Sequence, residues 1–359
     1  MNAVNRLANV PDFDKSPFIA FWEVTKACDL ACRHCRACAV PDRDPRELTT
    51  QEGRRLLKDL ARMGCPVVVV TGGDTAKRQD LVELIRYGSS IGLQMALAPS
   101  ATPLLTPSLM QDLAEAGLQR LAISLDGAQP ITHDRFRGYA GVFDNCLRIL
   151  NEAKEIGLQT QVNTTLSPYN VDEMFDLAKL IGAFGVSLWS VFFLVPTGRG
   201  QGEVNFNRQD METTLHQLSQ IKEQARYDVK TTAAPHFRRV LLQRKHKRKD
   251  IIGVGGIGRA PKGVNDGQGI MFVSHIGEVS PSGFLPIVCG NVRVGSVRSI
   301  YQNHPVFKTL RDPDALHGKC GRCEFKRVCG GSRARAYAVT GDMLAEEPSC
   351  GYQPRTMAN

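Results

Sequence analysis

Between residues 18 and 195, short apolar runs alternate with amphipathic stretches. The runs at 19–25, 67–71, 94–98, 120–125, 159–165 and 187–194 are short and several are β-branched, which predicts strands. The stretches at 50–63, 81–91, 107–116, 142–156 and 171–184 predict helices. Gly64, Gly92, Gly117, Gly157 and Gly185 follow those stretches and read as helix stops. Strand alternating with helix six times predicts an α/β protein with a parallel sheet, open or closed as a partial barrel. Functional groups are then expected at the C-terminal ends of the strands.

After Gly198 the pattern changes. Residues 208–249 are polar and charged and predict one or two helices. Residues 252–270 are glycine-rich. They contain Gly253-x-Gly255-x-x-Gly258 without a strand-to-helix context, and so read as a loop. The segments 271–274 and 278–280 predict a small hairpin around Gly277. The chain thus divides into an N-terminal extension (1–17), an α/β core (18–200), a connector (201–270) and a cysteine-rich part (271–359).

Hydrophobic residues make up 42% and charged residues 23%, the balance of a soluble globular protein. No apolar run reaches the ~18–20 residues of a membrane helix. The N-terminus lacks the order of a secretory signal. A cytoplasmic location and no membrane partner are expected. The formal charge of +9 is concentrated in RRVLLQRKHKRK at 238–249. This run reads first as a solvated helix face and second as an attraction for an anionic partner. No aromatic platform adjoins it, so nucleic acid is not expected.

The 11 cysteines are odd in number and, in a reducing compartment, not expected to pair. Four fall within 28–38 and four within 320–350, which predicts two metal sites. Cys65, Cys146 and Cys289 are scattered. Cys28-x-x-x-Cys32-x-x-Cys35 follows the first strand directly. Three thiolates suit a four-iron cubane and leave one iron open to another ligand. Zinc is the alternative, with His34 adjacent. Cys38 forms a further CxxC with Cys35 and is expected to be a small packed residue.

At these residues the chain resembles the radical S-adenosylmethionine superfamily, whose signature is CxxxCx-aromatic-C; His34 holds the aromatic position. The resemblance implies a partial (β/α)6 TIM-like barrel and a [4Fe–4S] cluster whose free iron binds S-adenosylmethionine. It also implies reductive cleavage to a 5′-deoxyadenosyl radical, hydrogen abstraction from substrate, and an electron donor such as flavodoxin or ferredoxin. Residues carry over one by one. His34 would pack near adenine. Thr71-Gly72-Gly73-Asp74 corresponds to the GGEP-type motif that receives the methionine amino group, with Asp74 in place of Glu and Thr75 in place of Pro. Ser124 and Asp126 after the fourth strand, and Asn163 on the fifth, would bond ribose or methionine groups. Leu194 and Val195 would border adenine. For each of these the plain alternative is a turn or strand-end packing. The stretch THDRFRGYAGVF resembles the loop after this strand in SPASM-type members.

Cys320-x2-Cys323-x5-Cys329, followed by Cys350, supplies four more thiolates among Lys319, Arg322, Lys326 and Arg327. They suit zinc or a second [4Fe–4S] cluster. The pattern resembles the SPASM or twitch extension, which favours one auxiliary [4Fe–4S] cluster held by all four cysteines in a small C-terminal domain. Ser282 stands where the full extension has cysteine, and Cys289, off the pattern, is expected to be packed. WEVTKACDLACRHCRA and the single four-cysteine set look most like enzymes of the alternative haem and haem d1 routes. Those enzymes modify acid side chains of an iron tetrapyrrole. Arg33, Arg36, Arg137 and Arg199 are candidate partners for propionates. A second reading is maturation of a ribosomal peptide, although only about 17 residues precede the first strand, too few for a peptide-recognition domain. A third is a non-catalytic iron–sulfur or zinc protein that would not bind S-adenosylmethionine. No residue that quenches a substrate radical is assigned.

Overall fold

The computed structural model describes residues 12–247 and 263–355. The six strands of the core are β1 (Ile19–Glu23), β2 (Val67–Thr71), β3 (Gln94–Leu97), β4 (Arg120–Ser124), β5 (Thr160–Leu166) and β6 (Leu188–Phe193). They pair in chain order, every pair parallel. Parallel neighbours cannot be joined by a tight turn, so each connection is a helical crossover. These are α1 (Thr50–Met63), α2 (Leu81–Ser90), α3 (Pro107–Glu115), α4 (Pro130–Arg137) with α5 (Val142–Ile156), and α6 (Met174–Ala183). The start of α1 shows why the sequence folds where it does. Thr49 accepts the Glu52 N–H, and the Glu52 carboxylate returns to the Thr49 N–H, a reciprocal cap. The helix stops at Gly64, whose φ of 89° lies in the left-handed region.

Two elements depart from the expectation. Part of the stretch resembling a loop after β4 is the helix α4, opened by Pro130 and anchored by buried His133 and Phe136. The polar segment beyond β6 contains a strand between its helices: α7 (Arg208–Gln224), β7 (Asp228–Thr232) and α8 (His236–Lys247). β7 pairs parallel with β6. Only its Val229 is buried, so the strand has no apolar run to announce it. On the other edge, β8 (Ile270–Val273) pairs parallel with β1 and antiparallel with β9 (Glu278–Ser280), the hairpin around Gly277. With β10 (Gly290–Asn291) the order is β10-β9-β8-β1-β2-β3-β4-β5-β6-β7, an open, mainly parallel α/β sheet. Connector and cysteine-rich part both add strands to the sheet of the core. α9 (Val297–Asn303), α10 (Pro305–Arg311), α11 (Gly318–Arg322) and α12 (Arg333–Thr340) complete the chain. The Gly253-x-Gly255-x-x-Gly258 segment lies outside the described residues. Among the described residues no helix is long and apolar enough to cross a membrane.

The strands sort their side chains by face. On β5, Thr160, Val162, Thr164 and Leu166 are buried while Gln161, Asn163 and Thr165 are half-buried. Val69 and Thr71 on β2, and Gln94 and Ala96 on β3, repeat the half-buried pattern. The buried face packs on the helices. There Trp22 is fully buried, with Gly53 of α1 so close that a Cβ would stand 2.4 Å from its ring. The half-buried face is largely polar.

Candidate active site and a four-cysteine pocket

β1 runs into a loop pinched shut at its base. The Cys28 N–H donates to Val40 O at 2.7 Å, and the Val40 N–H donates to Lys26 O at 3.1 Å. Within it, turns from Cys32 to Cys35 and from Cys35 to Cys38 present the sulfurs. All are free thiols; Cys28 and Cys32 are buried and Cys35 half-buried. Cys38 is exposed at a φ of 49°, which corrects the expectation of a packed residue. The Cys28 Sγ lies 3.3 Å from Ser100 Oγ and accepts the Leu30 N–H at 3.4 Å. The Cys32 Sγ takes Arg137 Nη1 at 3.8 Å. Burial pushes both thiols up. A bound cation reverses that balance and favours the thiolates.

The end of β2 runs directly beneath this loop. The Gly73 N–H donates to Thr25 O at 2.8 Å and the Asp74 N–H to Ala27 O at 2.6 Å. A Cβ on Gly72 would stand 2.4 Å from Thr25 O, and one on Gly73 2.4 Å from Ala27 O. Glycine is required here by close backbone approach. The buried Asp74 carboxylate accepts the Ala76 N–H at 3.1 Å and the Thr102 hydroxyl at 2.5 Å. Ser100, which the sequence reading missed, donates to Gly73 O at 2.9 Å and so ties β2 to Cys28. Its only signal was a hydroxyl just past the third apolar run.

Ser124 and Asn163 are register partners on the half-buried face of β4 and β5. Asp126 is different. It is fully buried; one oxygen accepts the Thr165 N–H at 2.6 Å, and the other pairs with Arg137 Nη2 at 2.5 Å. Its carboxylate is therefore spent on holding Arg137 beside Cys32. The His34 ring stacks on Phe136 at 4.2 Å, and Phe136 stacks on Tyr169 at 5.2 Å. Burial, and then Arg137, hold His34 well below the usual imidazole range, so the ring is neutral. Leu194 flanks the same loop: a Cβ on Gly200 would lie 3.5 Å from Leu194 Cδ1 and 3.6 Å from His34 O. Val195 also borders Gly200, its carbonyl oxygen 3.3 Å from that Cβ position. Its side chain packs with Leu285, Leu310 and Ala334 of the C-terminal part.

The four arginines proposed for propionates already have partners. Arg33 pairs with Glu203 at 2.8 Å, Arg36 with Glu23 at 2.9 Å, and Arg137 with Asp126. Arg199 donates to Cys32 O at 2.9 Å and Ala39 O at 3.1 Å. They brace the cysteine loop, which corrects that expectation. Buried polar atoms around the loop without a hydrogen-bond partner include His34 Nδ1, Arg137 Nε and Arg199 Nη2.

Cys320, Cys323, Cys329 and Cys350 come together around one pocket. Cys320 Sγ accepts the Glu347 N–H at 3.3 Å, Cys323 Sγ the Phe325 N–H at 3.4 Å, and Cys329 Sγ the Gly331 N–H at 3.4 Å. Burial pushes the Cys329 thiol up to about 12 and that of Cys350 up to about 11. Cys289 is buried in the core and donates to Ile287 O at 3.4 Å. Among the other residues lining the pocket are His236 and Arg239 from α8. Arg239 is buried and pairs with Glu212. Arg238 reaches Val328 O at 3.2 Å and Val264 O at 2.5 Å. The head of the basic run is thus packed against the cysteines, not a solvated face. From α12, fully buried Arg335 pairs with Glu347 at 3.2 Å and donates to Leu194 O at 3.0 Å and Phe193 O at 3.2 Å. It clamps the C-terminal part onto the end of β6.

Residues 22–181 match the Radical SAM superfamily. The chain is 42% identical over 344 residues to an AdoMet-dependent heme synthase of Methanosarcina barkeri, covering 94% of this chain and 97% of that protein. It is 38% identical to an AdoMet-dependent heme synthase of Oleidesulfovibrio alaskensis, covering 98% and 92%. Among solved structures, Streptococcus suis SuiB bound to S-adenosylmethionine superposes with a TM-score of 0.73 at 14% identity, covering 96% of this chain and 78% of that one. At that identity the likeness establishes the fold alone. The superfamily match spans the cysteine loop and the Gly72–Gly73 strand end, and the relatives run nearly end to end with this sequence. The chain therefore belongs to the radical S-adenosylmethionine superfamily.

Proposed function

We propose that this chain is an S-adenosylmethionine-dependent haem synthase that modifies the acid side chains of an iron tetrapyrrole. The observation that carries the proposal is identity of 42% with a heme synthase across 94% of the chain. Membership of the superfamily makes the chain an enzyme using a [4Fe–4S] cluster and S-adenosylmethionine. Bound together, these supply a 5′-deoxyadenosyl radical that takes hydrogen from the substrate.

The residues fit that pair. Cys28, Cys32 and Cys35 offer three free thiols on one pinched loop, and unpartnered buried polar atoms surround them. Unsatisfied buried groups are costly, and a bound polar ligand relieves the cost. In this reading Arg137 offsets the negative charge at Cys32, and Ser100 orients Cys28. Gly72 and Gly73 bring the β2 backbone, with Asp74 bracing it, to the methionine end. Ser124 and Asn163 offer a hydroxyl and an amide to the ribose. His34 and Leu194 border adenine. Asp126 acts through Arg137, and the Val195 side chain packs on the C-terminal part.

The second pocket reads as an auxiliary [4Fe–4S] site. The resemblance to the SPASM or twitch extension favours a cluster over zinc, and three of the sulfurs already accept N–H bonds, as cluster thiolates do. Four thiolates leave no iron open, so this site serves electron transfer or structure. A reduced flavodoxin or ferredoxin in the cytoplasm supplies the electron. The test is mass spectrometry of carboxylated iron tetrapyrroles incubated with reduced enzyme and S-adenosylmethionine. Loss of carboxyl mass from the macrocycle is expected. Active cleavage of S-adenosylmethionine with every such tetrapyrrole unchanged would refute the substrate assignment.

A further inference from the structure

We infer that His236 donates a ring N–H to the sulfur of a cluster held in the four-cysteine pocket, and so holds its reduction potential up. The inference rests on reading that pocket as a cluster site. His236 is fully buried, lines the pocket with the four cysteines, and neither of its ring nitrogens has a partner. An unsatisfied buried polar group is costly. An imidazole kept there without partners marks a missing one.

The neighbouring polar groups are engaged elsewhere. Glu347 accepts the Ser332 N–H at 2.7 Å, the Ser349 N–H at 3.2 Å and Arg335. Arg239 donates to Gln243 at 2.9 Å and pairs with Glu212. Lys319 Nζ donates to Cys350 O at 2.6 Å. Sulfur is the acceptor that the pocket offers. Burial pushes His236 down to about 4, so the ring is neutral and carries one N–H.

The backbone is arranged to put it there. β7 ends in a turn where Ala233 takes a φ of 56°, left-handed and strained for a residue with a Cβ. Strain of this kind persists where the surrounding structure enforces it, commonly at functional sites. α8 then starts at His236, with Phe237 and Val240 anchored in the core. Arg238 in the same turn bonds Val328 O, next to Cys329. A donor to cluster sulfur disperses the charge gained on reduction and favours the reduced form.

The test uses the full chain with Cys28, Cys32 and Cys35 replaced by Ala, so that only the four-cysteine site reports. Iron analysis and a potentiometric titration followed by electron paramagnetic resonance are run on this parent, on His236→Leu and on His236→Gln. A more negative potential for H236L, with H236Q shifted back toward the parent, is expected. Retained iron and an unchanged potential in H236L overturn the inference. If H236L loses its iron, His236→Met is titrated in its place. Iron kept by H236Q but lost by both donor-free variants supports N–H donation, and iron lost by all three refutes it. A parent that binds no iron overturns the cluster reading itself, and the inference with it.

Discussion

Arg137 ties the chemistry to the fold through one side chain. It pairs with buried Asp126 and reaches the sulfur of Cys32, so removing it strands a buried carboxylate and takes a donor from that sulfur. Breaking a buried pair at one end typically costs about 3–5 kcal/mol. Arg137→Leu is expected to lose that much stability, read as a fall in the urea midpoint, with Arg137→Lys recovering part. An unchanged midpoint would mean that Asp126 is not charged in the folded chain. The cysteines were legible in the sequence, because CxxxCxxC constrains sulfur chemistry by spacing alone. The role of Asp126 was not. Its partner arrives on α4, a short helix whose buried residues are only His133 and Phe136. The same limit hid His236, which no sequence spacing links to Cys320.

Helices and strands were readable where burial is one-sided. β1 to β6 carry apolar residues and are separated by helices ending near glycine, so pattern and structure agree. β7 reads Asp-Val-Lys-Thr-Thr and is a strand because β6 offers it an edge, a pairing that local propensity does not encode. The contact between α1 and β1 gives a test at this scale. Gly53→Ala gains about 1 kcal/mol of helix propensity. The added Cβ meets the fully buried Trp22 ring at 2.4 Å, and overpacking of that kind costs about 1–3 kcal/mol. The ring has nowhere to go, so a lowered melting temperature is expected. A raised one would show that α1 can slide on the sheet.

Across the whole molecule, the two cysteine sites are joined through Arg335 and Glu347. The Glu347 N–H touches Cys320, its carboxylate holds Arg335, and Arg335 grips the Phe193 and Leu194 carbonyls at the end of β6. Glu347→Gln is expected to loosen this clamp, read as faster hydrogen exchange at both 193–195 and 333–347. Protection changed in one segment alone would contradict a shared clamp. The central claim is radical chemistry at the Cys28, Cys32 and Cys35 loop. Its most direct test is 5′-deoxyadenosine measured by mass spectrometry after anaerobic reconstitution and reduction, with S-adenosylmethionine and a carboxylated iron tetrapyrrole present. Wild-type chain should form it, and the Cys28→Ala, Cys32→Ala, Cys35→Ala variant should form none. Equal product from both, or none from a wild-type chain with its iron fully loaded and reduced, would contradict the account.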